Sequence, residues 1–220
     1  SFSFIYLSIF FFICLFFSYQ IVGDVQQEDN FKIFYIHVPC AWFAIFIYFC
    51  MVIFSLGFLI TSLKFYDILT SLLAKIGFAF SCFTLVTGSL WGACTWGTLW
   101  AWDTRLTSTL ILCIFYLFYL VIHLFFEKSF RNSFFLSFLV LLGFLNIPIL
   151  KFSVDWWNTL HQKQSITSFA LFVDYSVVMS LFFFLLFYFI YVLLYFFLEF
   201  RIVLIREKVE QLYKYINAYD

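Results

Sequence analysis

Ala41-Trp-Phe-Ala-Ile-Phe-Ile-Tyr-Phe-Cys-Met-Val-Ile-Phe-Ser-Leu-Gly-Phe-Leu-Ile-Thr-Ser-Leu63 contains no charged residue, and its length decides the fold class. As a helix rising 1.5 Å per residue it measures about 35 Å, enough to cross a hydrocarbon core of roughly 30 Å. Similar uncharged runs occupy Phe2–Val22, Leu106–Phe126, Ser133–Leu150 and Ile166–Leu198, the last interrupted only by Asp174. A sixth, Leu72–Leu90, qualifies if the Lys75 ammonium snorkels to the interface. Phe2–Val22 has no basic segment ahead of it and exceeds a signal-peptide core, so it is read as a span. Lipid offers backbone groups no water, and runs of this length exclude the tilted short strands of a barrel. The expected fold is all-α and integral to the membrane: a six-helix bundle over residues 1–198, followed by a charged amphipathic tail over 199–220.

Composition supports this. Of the 220 residues, 65% are hydrophobic and 11% charged, against roughly 45–50% and 25% in soluble domains, and the mean hydropathy is +1.05. Twelve Lys and Arg balance twelve Asp and Glu, which argues against nucleic-acid binding because phosphate recognition needs a basic face. Six cysteines without a CxxC pair, most of them inside apolar runs, read as packing residues. Phe occurs 38 times, a bias that fits an AT-rich organelle genome.

Six spans place both termini on one side. Lys64, Lys75, Lys128, Arg131, Arg201, Arg206, Lys208 and Lys214 lie on that side, against Lys32, Arg105, Lys151 and Lys163 on the other. The basic excess puts the termini inside. The loops left outside, about Gly23–Cys40, Trp91–Arg105 and Lys151–Ser165, hold the unusual residues.

His37 and His161 each precede a span on the outside face. Two neutral imidazoles suit the axial positions of a haem iron, although an interfacial histidine also serves as a plain polar anchor. Between them in sequence lies Trp91-Gly-Ala-Cys-Thr-Trp96-Gly97-Thr98-Leu99-Trp100-Ala101-Trp102-Asp103-Thr104-Arg105-Leu106-Thr107-Ser108. An aromatic belt would scatter tryptophans over both faces. Here they gather on one, with Trp156 and Trp157 in the third loop, as a shelf of flat rings suited to a macrocycle. Asp103 and Arg105 can orient the loop, and Arg105 can meet a carboxylate through charge-assisted hydrogen bonds. His123, four residues before Glu127, reads as an inner interfacial residue. Asp174 fits an ion site or a partly solvated position equally well. Gly92 and Gly97 are spaced like the ends of a P-loop, but Thr98 stands where its lysine belongs.

Trp96 to Ser108 resembles the WWD signature of the haem-handling membrane protein superfamily. Tyr35-Ile-His37-Val-Pro39-Cys-Ala41-Trp42 and Ser153-Val-Asp-Trp156-Trp157-Asn158-Thr159-Leu160-His161-Gln162 are similar to the two histidine segments of its CcmC branch, in the same order along the chain. Leu99 departs from the pattern, where a third tryptophan often stands.

The resemblance implies that His37 and His161 are the axial ligands of haem b. It also implies that Trp91, Trp96, Gly97, Trp100, Trp102, Asp103 and Arg105 form the haem-contacting loop, supported by Pro39, Trp42, Trp156 and Trp157. It further implies presentation of haem to a CcmE-like chaperone during c-type cytochrome biogenesis, alongside a small helper subunit and ABC transporter subunits. The expected protein is a haem transporter or assembly factor without catalytic residues of its own, in the mitochondrial inner membrane or its bacterial counterpart. The competing reading is a WWD-bearing structural subunit of a larger respiratory assembly. After Leu198, the positions Ile202, Ile205, Val209, Leu212, Ile216 and Tyr219 recur at heptad-like spacing, which suits a partner helix, the membrane surface or a solvated extension of the last span.

Overall fold

The computed structural model describes residues 12, 13, 16, 32–126, 129–157 and 175–217. His161, Asp174, Glu127, Lys128, Tyr219 and most of the first apolar run lie outside them. The described residues form helices α1 (Phe34–Thr61), α2 (Lys64–Trp96), α3 (Thr104–Phe125), α4 (Phe130–Phe144), α5 (Asn146–Trp156) and α6 (Tyr175–Ile216), with no strand among them. Among the described residues, five spans are long and apolar enough to cross a membrane, α4 and α5 together making one.

Helix boundaries differ from those read from charge. α2 extends well beyond Leu72–Leu90 at both ends, because charge marks the hydrocarbon boundary and not the end of the hydrogen-bond ladder. Lys75 does more than snorkel: its Nζ lies 3.0 Å from Glu199 of α6, and Lys64 pairs with Glu207 at 2.6 Å. α1 begins at Phe34, so His37 sits in its first turn instead of ahead of it, and Pro39 is accommodated inside the helix. The run Ser133–Leu150 is broken at Leu145, whose N–H turns back to Leu142 O at 3.1 Å. Pro148 explains the break, since it lacks the N–H that would bond the Phe144 carbonyl.

Packing is densest between α1 and α2. The core joins Tyr48, Met51, Ala74, Phe80, Leu112, Tyr116 and Val140 of α1 to α4. In lipid, association rests on close packing and interhelical hydrogen bonds of about 0.6 kcal/mol each. Tyr116 donates to Ala44 O at 2.7 Å, Tyr48 to Val140 O at 3.1 Å, Asn146 Nδ2 to Ser108 O at 2.8 Å and Ser133 to Asp67 Oδ2 at 2.9 Å. Two of these depend on glycine. A Cβ on Gly77 would overlap the Tyr116 ring, and one on Gly143 would overlap the Tyr48 hydroxyl. Cys82 and Cys113 Sγ lie 3.7 Å apart across α2 and α3, a proximity that cysteine spacing does not reveal.

α6 is the peripheral member. Its first turns pack on the start of α1, where Tyr35 stacks on Phe184 with centroids 6.3 Å apart in a cluster with Val177 and Phe187.

Candidate functional site at the His37 end

The site is built where α1 begins, α2 ends and α3 begins. His37 leans onto one face of α2 formed by Thr87, Gly88 and Trp91. Its Nδ1 lies 3.0 Å from Thr87 Oγ1, and its ring meets the Trp91 indole edge-on at 5.7 Å. Thr87 has one hydroxyl proton, which it directs to the Phe83 carbonyl at 2.7 Å, with Thr84 O at 3.3 Å. It therefore accepts from His37, which assigns the ring proton to Nδ1 and the lone pair to Nε2. Gly88 makes the approach possible, since a Cβ there would stand 2.9 Å from His37 Cε1. Neither Thr87 nor Gly88 stands out in the sequence; their only signal is small residues placed within one turn of Trp91 in an apolar helix.

Most of the tryptophan segment is helical. Trp91, Gly92 and Trp96 belong to the last turns of α2, and the loop proper is confined to 97–103. Gly97 ends the helix in the left-handed region (φ 72°), a conformation that favours glycine. Gly92 lets the Trp96 ring lie against the backbone, with a Cβ position only 3.2 Å from Trp96 Cε3.

Thr98 then clamps Trp100, donating to its carbonyl at 2.8 Å and accepting from its N–H at 3.4 Å. Trp100 and Trp102 pack edge to face at 5.5 Å, with Trp102 79% exposed and Leu99 also turned outward. Asp103 caps α3, accepting from Arg105 N–H at 2.7 Å. The acidic and basic residues of the motif thus meet through a backbone amide, which fixes the loop exit, while the Arg105 side chain is half-buried.

The remaining expected residues fall elsewhere. Pro39 is buried in α1, while Trp42 is partly exposed on the same helix. Trp156 stacks on Phe152 at 5.3 Å and meets Trp157 at 5.8 Å, both tryptophans being exposed at the end of α5.

The donors present fit the haem that the motif implies. His37 offers an imidazole whose orientation Thr87 fixes. Trp100 Nε1–H is buried and has no hydrogen-bond partner among the described residues, which leaves a donor there for a further acceptor. Among the described residues no cluster of three or more His, Cys, Asp or Glu can hold a bare metal ion.

Fold and site together define a polytopic helical membrane protein with a histidine oriented by Thr87 and Trp91 of α2 and a tryptophan loop where that helix ends. The model of the CcmC family, heme exporter protein C, matches residues 2–214, and the chain belongs to that family. It is 44% identical over 160 residues to a ccmC-like mitochondrial protein of cytochrome c biosynthesis from Marchantia polymorpha, covering 73% of this chain and 68% of the relative. With the heme exporter protein C of Bradyrhizobium diazoefficiens it shares 46% over 143 residues, 65% of this chain and 54% of the relative. The Escherichia coli K12 protein of the same name is 40% identical over 144 residues, 65% and 58% of the two chains. The chain thus spans about half to two thirds of the length of these curated relatives.

Proposed function

We propose that this chain carries haem at the outer face of a mitochondrial inner membrane, or of its bacterial counterpart, and presents it for attachment during c-type cytochrome biogenesis. In this reading it has six spans, counting the first apolar run, with both termini inside and the indole loop outside. His37 and His161 are the two axial ligands of haem b. Trp96, Trp100 and Trp102 form the shelf, and Trp100 Nε1–H and Arg105 are donors for carboxylates at its edge. The receiver is a CcmE-like chaperone, with a small helper subunit and ABC transporter subunits as further partners.

Haem supplies the iron; this chain's residues bind, orient and expose it. The observation that carries the reading is the His37 ring, fixed in direction by Thr87 at Nδ1 and by close approach over Gly88. The relatives' names, heme exporter and cytochrome c biosynthesis, point the same way. α6 supports a partner for His37: it starts against Tyr35, two residues from His37, so the segment bearing His161 leads into a span that begins at the same end. A purely structural subunit gives no reason for an oriented imidazole there.

The test is spectroscopic. Protein purified in detergent and loaded with haem is expected to show a Soret band and low-spin visible bands, with His37→Ala together with His161→Ala abolishing the low-spin signature. An unchanged spectrum in the double variant, with the helical content intact, overturns the ligand assignment.

A further inference from the structure

The stretch of α6 beyond Leu198 is fastened to α2 along one side. Glu199 meets Lys75, Glu207 meets Lys64 and the Phe200 ring lies edge-on to Phe65 at 6.1 Å, all on α2. At about 100° per residue these three positions share one side of the helix. Roughly opposite run Ile202, Ile205, Val209, Leu212 and Ile216, each between 48 and 61% exposed.

Their spacing places Ile202, Val209 and Ile216 at a positions and Ile205 and Leu212 at d positions of a heptad. β-Branched residues at a with leucine at d favour a two-stranded pair, a pattern that Leu212 meets and Ile205 at the other d position does not. The flanking g and e positions are Arg201, Arg206, Lys208, Tyr213 and Tyr215, whereas Glu207 and Glu210 lie off the seam.

Three occupants are conceivable, and the observations separate them. A bilayer surface requires the helix to turn into the membrane plane, yet Glu199 and Glu207, about 12 Å apart along the axis, both hold it alongside α2, in line with the bundle. A second copy in the same membrane would pair in parallel and set Arg201 of one chain against Arg206 of the other, like charges that oppose association. A different helix with acidic flanks meets the apolar seam and the basic margins together.

We propose that residues 201–216 dock a helix of another protein, apolar at a and d and acidic at e and g. This inference is independent of the haem reading.

It is tested with the full chain in nanodiscs of neutral lipid and two labelled four-heptad peptides, alike at a and d, one with Glu and the other with Lys at e and g. The Glu peptide is expected to bind at least tenfold more tightly. Replacing Arg201, Arg206 and Lys208 with Glu should invert that preference. Ile205→Asn with Leu212→Asn, which leaves the charges in place, should abolish binding of the Glu peptide even if the charge-reversed variant fails to insert. The proposal is overturned if neither peptide binds, if the Asn variant binds as before, or if the seam instead mediates dimers or association with anionic vesicles.

Discussion

His37 and His123 are both imidazoles near helix ends, at opposite ends of the same bundle, and their surroundings differ in kind. His37 is held through one nitrogen by a hydroxyl whose own proton is directed elsewhere, its ring edge rests over a glycine, and an indole stands across it. His123 lies flat on Tyr119, centroids 5.9 Å apart and planes within 11°, beside a small cavity lined by Asp67, Asn132 and Ser133. The first arrangement fixes the direction of a lone pair; the second secures a ring face. A ligand for iron needs the former, because coordination depends on where one nitrogen points.

The largest expected effect comes from disturbing that direction without touching the imidazole. Gly88→Ala places a methyl group 2.9 Å from His37 Cε1, and neither the α2 backbone nor a ring bonded to Thr87 can yield without moving Nε2. Haem affinity is expected to fall by roughly 10–100-fold with loss of the low-spin bands, while helical content stays native. Unchanged affinity and spectrum would show that the glycine serves helix packing alone.

Thr87→Val is the milder test. The isosteric side chain keeps the packing but removes the acceptor for Nδ1–H, so His37 loses its fixed tautomer. The expected outcome is about tenfold weaker binding and a shifted haem midpoint potential, with Thr87→Ser restoring both. A change in thermal stability without a change in potential would reduce Thr87 to a packing residue.

These two residues also show where sequence reading stops. Uncharged runs identify spans because the cost of burying charge in lipid is set by composition alone, and the tryptophan and histidine motif is visible because its residue types are rare in such runs. Thr87 and Gly88 carry meaning only through His37, fifty positions away, and a threonine or glycine in a membrane helix has many uses. Helix ends are illegible for a related reason. α2 carries Lys64 and Lys75 within one continuous backbone ladder, and the α6 glutamates that pair with them lie far along the chain. The break before Pro148 was open to reading, since proline removes a backbone donor wherever it falls, but an apolar run masks it when charge is the only ruler.

The smallest effect belongs to the other histidine, and it tests the comparison from the opposite side. His123→Phe keeps a flat ring against Tyr119 and removes both nitrogens from the cavity near Asp67. If iron coordination belongs to the His37 end, haem affinity and the Soret position should stay within about twofold of the parent, because nothing at the His37 end is altered. Stability should change by no more than about 1 kcal/mol, the scale of a surface-proximal polar contact. A tenfold loss of haem in this variant, with the helices intact, would instead move the macrocycle to the His123 end and leave Thr87 and Gly88 as packing residues around an anchor.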